Sequence, residues 1–211
     1  MPRREYDNTR RAEQARLTRR GVLDAARDLL VERGPAAVTM RDVAAHAGVS
    51  VETVYKTFGT KAALIKDVYD VTLAGDDEPV PMIDRPELQA VFAASGPREK
   101  VARYAFAARL ISERVGPLLA KLLAGARGGD PDLSSFRETV NRERLAGAGG
   151  LVRHLAETGG LRPGLEPGRA CDIVWMLISP EVYELLVSDR GWTPAQYERW
   201  LAGALTDALT G

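Results

Sequence analysis

The sequence predicts an all-α protein in which a small N-terminal unit of three helices precedes a larger helical body. Apolar residues recur at helical spacing through most of the 211-residue chain, and no alternating apolar pattern is long enough to indicate a strand. In the first third of the chain, a glycine-centred turn separates two short amphipathic segments. Glycine and proline residues after Ala74, from Gly75 to Pro86, then interrupt the helical periodicity and mark a boundary. We therefore expect a flexible basic arm over 1–15, a first domain over 16–74 and a second domain over 75–211.

The first helix of the N-terminal unit is predicted from Leu17 to Arg33. Its apolar side chains follow the i, i+4, i+7, i+8 pattern of one helix face, at Val22, Ala26, Leu29 and Leu30. Gly34 and Pro35 end the helix. Because the two helices that follow are too short to be stable alone, this helix is expected to close their core.

Residues 38–64 predict a helix-turn-helix. Thr39 and Asp42 have the spacing of a capping box, Gly48 can take the positive φ of a sharp turn, and Ser50 suits the N-cap of a second helix. Thr60 is expected to cap a further helix that leads out of the unit. The apolar residues that should face the core are Met40, Val43, Ala44, Val54 and Phe58. In this motif the second helix enters the major groove of DNA.

This segment resembles the TetR-like family of transcriptional regulators. The residues that match in register are Thr39, Arg41, Asp42, Val43, Ala44, Ala47, Gly48, Val49, Ser50, Thr53, Tyr55, Phe58, Lys61 and Leu64. The resemblance implies a homodimer in which the helix-turn-helix domain binds DNA, while a larger helical domain binds a ligand and forms the dimer. At Thr57 the chain lacks the His or Tyr with which that family usually contacts a phosphate.

The helix-turn-helix supplies the candidate DNA-binding residues Thr39, Arg41, Ser50, Val51, Glu52, Thr53, Tyr55, Lys56 and Lys61. The resemblance implies that Tyr55 and Lys61 contact backbone phosphates. Val51 suits a thymine methyl group and Glu52 a cytosine amino group. Three alternatives stay open: Tyr55 is partly core, Lys61 is a solvated lysine at a helix start, and Glu52 only complements the helix dipole.

The start of the first short helix adds two positioning contacts to this interface. Thr39 can both cap that helix and donate to a phosphate. Arg41 lies on the helix that crosses the DNA backbone, and it is placed to reach a phosphate or a base.

Charge is distributed unevenly along the chain. Residues 1–61 contain 12 Lys and Arg against 8 Asp and Glu, whereas the whole chain contains 29 of each. A basic N-terminal part favours DNA binding whose affinity falls steeply with salt. The alternative is that the arginines of the first twenty residues form only a solubilising tail.

The body is predicted to be entirely helical, with helices over 97–114, 117–127, 133–158, 167–188 and 194–209. Within 167–188, Ser179, Pro180 and Glu181 are expected to restart or kink the helix. Thr193 and Gln196 form a capping box with Pro194 at the first helical position. The last two helices carry broad apolar stripes, so a four-helix interface between two copies is expected. The alternative is that these stripes close the core of a monomer.

Polar and aromatic residues within the body suggest a pocket for a small molecule. The candidate ligand-binding residues are Tyr104, Phe106, Arg109, Phe136, His154, Trp175 and Met176. Such an effector should be largely apolar. An inward-facing Arg109 would favour an anionic ligand, whereas a surface position is the commoner location of arginine. The aromatic residues could equally be plain core.

Several function classes find no support in the sequence. His46 and His154 lie far apart, and Cys171 is the single cysteine, so neither a metal site, a cofactor site nor an internal disulfide is expected. No apolar run reaches the length of a membrane span. We expect a cytoplasmic protein that is not an enzyme and makes no membrane contact.

The leading hypothesis is a homodimeric, sequence-specific regulator that binds a palindromic operator in double-stranded DNA and represses until a small molecule releases it. A second hypothesis is a helix-turn-helix regulator whose body is controlled by a protein partner. A third is a small helical enzyme that happens to carry this motif, although no catalytic constellation supports it.

Overall fold

The computed structural model describes residues 3–210, and for residues 3–9 it describes the backbone alone. Within this range the chain is helical and contains no strand, as the sequence predicted. The α-helices are α1 (Arg3–Arg33), α2 (Met40–Ala47), α3 (Val51–Phe58), α4 (Lys61–Ala74), α5 (Pro86–Ala93), α6 (Pro97–Arg127), α7 (Pro131–Glu157), α8 (Pro167–Leu177), α9 (Pro180–Tyr183) and α10 (Pro194–Leu209). Short 3₁₀ turns occupy Pro35–Ala37 and Met82–Asp84, and a π-helical segment, Glu184–Asp189, continues α9.

The capping residues fix the ends of the short helices as the sequence predicted. Thr39 and Asp42 form a reciprocal capping box at the start of α2. Gly48 ends α2 with φ 67° and ψ 31°, in the left-handed region that glycine adopts without steric cost. Ser50 and Thr60 each accept a hydrogen bond from a first-turn amide, at 3.2 Å from Thr53 N and 3.1 Å from Ala63 N respectively.

Proline positions account for most differences from the predicted helices. Pro86 was expected to interrupt helical structure, but it occupies the first turn of α5, where its missing N–H costs nothing. α6 continues through Pro117, so the two predicted helices over 97–114 and 117–127 are one. Buried Val115, Leu118 and Leu119 flank this proline, and their packing offsets the lost backbone hydrogen bond. The predicted 167–188 segment restarts at Pro180, which begins α9, as the sequence predicted.

The predicted arm also differs. In the structure α1 begins at Arg3, so the segment from Arg3 to residue 15 is helical. Residues 1 and 2 lie outside the described residues. Flexibility of the arm in solution stays a prediction.

The chain divides into two compact units. The first unit comprises the chain up to Asp77 together with Lys121–Phe136, and the second comprises Glu78–Ala120 and the chain from Arg137 onward. The corner between α6 and α7, expected in the second domain, thus belongs to the first unit. A Cβ at Gly125 would lie 2.5 Å from Leu133 Cδ1 and 2.9 Å from Pro35 Cγ, so only glycine allows this close approach.

Each unit has its own apolar core. Large buried side chains of the first unit include Leu23, Leu29 and Leu30 of α1 and Leu64 and Tyr69 of α4. The core of the second unit combines leucines of α7 and α10 with small residues on α6, α7 and α8. Those small residues are Ala105, Ala108, Ala148 and Ala170.

Candidate nucleic-acid interface

α3 has one buried face and one exposed face. Val54 and Phe58 are buried, and they anchor the helix against the core of the first unit. On the opposite face Tyr55 is 52 % exposed, and Glu52 and Lys56 are exposed as well. An eight-residue helix cannot persist alone, so these two apolar contacts hold its outer face in position for a partner.

The first turn of α3 is ordered by its own side chains. Ser50 Oγ lies 3.0 Å from Thr53 Oγ1 and accepts from Thr53 N. Thr57 Oγ1 donates to the Thr53 carbonyl at 2.8 Å. The backbone N–H of Glu52 and the hydroxyl of Ser50 lower the pKa of the Glu52 carboxyl, so it stays ionised at the helix start. Its charge fits both the expected contact with cytosine and the alternative, complementing the helix dipole.

Thr39 is committed to its capping role. Its hydroxyl donates to the Asp42 carboxylate at 2.5 Å, while its oxygen accepts from Asp42 N at 3.2 Å. These bonds from Thr39 lower the pKa of Asp42. A phosphate bound here would have to displace the Thr39–Asp42 contact to receive the hydroxyl proton. Arg41, the next predicted residue, is exposed on α2.

Lys61 fixes the start of α4. Its ammonium group donates to the Pro35 carbonyl at 2.5 Å, and the side chain is partly buried. The predicted phosphate contact would use the remaining ammonium protons. The contact with Pro35 was not foreseen, because no local pattern signals a bond between residues so distant in the chain.

The arginines of α1 are partly neutralised by acids of the first unit. Arg16 lies 3.3 Å from Asp77, Arg19 lies 2.6 Å from Asp67, and Arg20 lies 3.2 Å from Asp24. Charge counting along the sequence therefore overstates the positive charge that this part of α1 presents to DNA. The predicted arm residues Arg3 and Arg4 have side chains outside the described part of the structure.

The predicted ligand residues are divided between the two units. Phe136 belongs to the first unit, where its ring packs edge-to-face on Tyr69 with centroids 5.2 Å apart. The other six belong to the second unit. Of these, Tyr104 is buried, whereas Phe106 and Met176 are exposed. All seven residues lie in helices, as the periodic pattern predicted, and their part in ligand binding stays a prediction.

Arg109 is held by acids of its own unit. Its guanidinium donates to Glu198 at 2.6 Å and also to Glu113, and it lies over the Phe106 ring at 5.1 Å. Burial opposes the charged form, but these two carboxylates prevail and raise the pKa of Arg109. Two carboxylates facing one guanidinium leave no positive excess, so Arg109 is not placed to select an anionic ligand.

The remaining candidates pack against aromatic and backbone groups. His154 contacts Phe92 edge-to-face, with ring centroids 5.1 Å apart. Trp175 Nε1 donates to the Asn141 carbonyl at 3.3 Å, and its own carbonyl accepts from Arg144 at 2.7 Å. Arg144 was not among the predicted residues, because nothing in its spacing distinguishes it from a surface arginine.

The chain matches known regulators in sequence and in fold. Residues 22–68 match the sequence profile described as bacterial regulatory proteins, tetR family. Over 171 residues the chain is 29 % identical to the uncharacterised HTH-type transcriptional regulator YdeS of Bacillus subtilis, covering 81 % of this chain and 79 % of that protein.

Two solved structures share the fold at low sequence identity. NalD of Pseudomonas aeruginosa, the secondary repressor of the MexAB-OprM multidrug efflux pump, is 20 % identical with a TM-score of 0.67, over 93 % of this chain and 98 % of that one. SmeT in complex with triclosan is 20 % identical with a TM-score of 0.70, over 92 % of each chain.

No helix within residues 3–210 is both long and apolar enough to cross a membrane.

The capped helix-turn-helix, the profile match over that same segment and the shared fold identify the chain as a TetR-like transcriptional regulator.

Proposed function

We propose that the protein is a homodimeric repressor that binds a palindromic operator through α3 and is released when a small molecule binds the second unit. The proposal depends mainly on the outer face of α3. Tyr55, Lys56 and Glu52 are exposed on this face, while two buried side chains on the other face anchor the helix. In a helix-turn-helix this face meets the major groove.

The roles of the interface residues follow from their chemistry. Tyr55 and Lys61 position the protein on backbone phosphates, together with Lys56 and Arg41. Val51, Glu52 and Thr53, in the first turn of α3, meet base edges, and Ser50 fixes that turn. One such helix reads only a few base pairs. Specificity therefore needs two copies, with half-sites about 34–36 Å apart.

Apolar side chains on the last helices support a dimer. Leu185, in the π-helical segment, is 56 % exposed, and Met176 on α8 is 50 % exposed. Trp200 on α10 is partly exposed. Exposed large apolar residues grouped in one region commonly mark a protein interface. In a homodimer the same surface of each copy faces the other.

Control by a ligand is supported by the likeness to SmeT, a protein whose structure contains triclosan. A ligand releases the operator only if it binds the form that does not fit DNA more tightly than the form that does. We place this ligand in the core of the second unit, where small side chains surround buried polar groups.

The proposal is tested by retaining fragments of the source genome on the purified full-length protein and sequencing them. We expect an inverted repeat among the retained fragments, and a dimer by light scattering. Leu185→Glu should yield monomers that keep only weak, non-specific DNA binding. Ile83→Glu is the matched control, since Ile83 is 55 % exposed in the segment before α5. If no fragment is retained at low salt, the proposed operator binding is wrong. If Leu185→Glu still forms dimers, the proposed dimer interface is wrong.

A further inference from the structure

Thr57 is exposed in the second turn of α3, yet its hydroxyl group turns back to the helix. Thr57 Oγ1 donates to the Thr53 carbonyl at 2.8 Å. A hydroxyl group has a single proton to donate, and a phosphate oxygen can only accept. In this conformation Thr57 therefore has no proton for a phosphate, unlike the exposed ammonium group of Lys56 beside it.

The methyl group is the part of Thr57 that a partner can contact. The Cβ of threonine carries one hydroxyl and one methyl group, and a hydrogen bond to the carbonyl one turn earlier selects one of the two rotamers common in helices. Because the hydroxyl is bonded to the helix and the residue is exposed, Thr57 offers an apolar group to a partner. The same bond holds this methyl group in a fixed position.

Thr57 continues the row of side chains that begins at the start of α3. Thr53 lies one turn earlier on the same side of the helix, and its hydroxyl oxygen lies 3.0 Å from Ser50 Oγ. In recognition helices, side chains spaced by three or four positions meet successive bases in the major groove. The eight residues of α3 extend over about 12 Å, comparable with the width of that groove. Its second turn can therefore meet bases as well.

The major groove contains one group that suits an exposed methyl. Guanine O6, thymine O4 and the purine N7 atoms are acceptors, which require a donor from the protein. The amino groups of adenine and cytosine are donors, which require an acceptor. The 5-methyl group of thymine is apolar, and the methyl group of threonine is one of its usual partners. Thymine is therefore the base that complements Thr57 in this conformation.

We infer that Thr57 determines sequence specificity by contacting the methyl group of a thymine, and that it does not position the protein on a phosphate. The inference rests on the proposed function, because it assigns a base to one residue of the helix that binds the operator. It adds to α3 a second contact of the class expected for Val51, located in the next turn of the helix. Each half-site should therefore contain a thymine whose methyl group depends on Thr57.

The test uses the full-length protein to select bound sequences from a library of random DNA duplexes. Each thymine of the selected sequence is then replaced in turn by deoxyuridine, which pairs in the same way and lacks only the 5-methyl group. At the thymine read by Thr57, the replacement should weaken binding of the wild type about threefold to tenfold, as expected for the loss of one buried methyl group. All affinities are measured at one salt concentration.

Two substitutions separate the methyl group of Thr57 from its hydroxyl. Thr57→Ser keeps the hydroxyl and removes the methyl, so deoxyuridine at that thymine should no longer weaken binding. Thr57→Val keeps a methyl and removes the hydroxyl, so it should bind the selected sequence as tightly as the wild type and lose the same affinity with deoxyuridine. Thr72→Ser is the matched control. Thr72 makes the same type of bond, to the Val68 carbonyl at 2.7 Å, but it lies on α4.

A hydrogen-bonding role for Thr57 predicts the opposite pattern. Thr57→Val would then weaken binding, to all sequences alike for a phosphate and to the selected sequence for a base, while Thr57→Ser would not. That pattern, or deoxyuridine effects that Thr57→Ser retains at every thymine, would overturn the inference and leave the proposed operator binding intact. If no sequence is selected from the library, the proposed operator binding is wrong and the inference falls with it.

Discussion

The two units achieve their functional surfaces in different ways. In the first unit, short helices are defined by local signals, and the polar groups of α2 and α3 are either exposed or paired with a residue three or four positions away. In the second unit, long helices bring together residues that are distant in the chain, and both Tyr104 and Tyr197 are buried in one apolar core. The first surface presents its polar groups to solvent, whereas the second unit places its tyrosines inside its core.

The largest effect should come from removing an anchor of α3. Phe58→Ala deletes a buried ring and should lower the free energy of unfolding by about 3–5 kcal/mol. DNA binding should fall with it. Denaturant unfolding and binding to random duplex DNA measure the two effects.

Tyr55→Ala serves as the control on the same helix. Because Tyr55 is largely exposed, its loss should change stability by no more than about 0.5 kcal/mol while weakening DNA binding. A large loss of stability in Tyr55→Ala would mean that Tyr55 belongs to the core.

Two glycine substitutions should act in opposite directions. Gly48→Ala places a side chain in the left-handed region and should destabilise the protein by about 1–2 kcal/mol. Gly147→Ala lies within α7, where an added Cβ meets nothing within 4 Å, and should stabilise by about 0.5–1 kcal/mol. Thermal unfolding measures both. If both variants changed the stability in the same direction, the glycine of the α2–α3 turn would not differ from a glycine inside a helix of the second unit in what its backbone requires.

Lys61 distinguishes a phosphate contact from a purely structural one. If Lys61 binds a phosphate, Lys61→Ala should weaken binding to all DNA sequences and reduce the slope of log affinity against log salt by about one unit. If it only holds Pro35, stability falls while the slope stays unchanged. Lys66→Ala, on the same helix and paired with Asp70, is the control for a general loss of charge.

The smallest effect should be the pH dependence of the capping box at Thr39. The folded-state pKa of Asp42 is lowered below its ordinary value of 3.8, so its contribution to stability is present above that value. The contribution is lost as the pH falls through the lowered pKa. The stability deficit of Asp42→Asn relative to wild type should therefore be seen near neutral pH and disappear in acid. A deficit that persists in acid would show that Asp42 acts through something other than its charge.

Sequence reasoning succeeded where the determinants are local. Thr39, Gly48 and Ser50 occupy the predicted caps and turn because each position is decided by a few neighbouring residues. It failed at Pro86, since a proline that breaks one helix can begin another. The acid partners of Arg109 and the packing of Phe136 depend on tertiary contacts, which periodicity does not encode.

The close approach at the α6–α7 corner constrains how this chain can diversify. Leu133 can turn its flexible end away from an enlarged residue 125, but the rigid ring of Pro35 cannot. A descendant that acquires alanine at 125 would therefore also have to exchange Pro35, losing the ring that sets the entry from α1 towards α2. Positions 35 and 125 should therefore change together in evolution. The residues adjacent to either position in the sequence do not reveal this coupling.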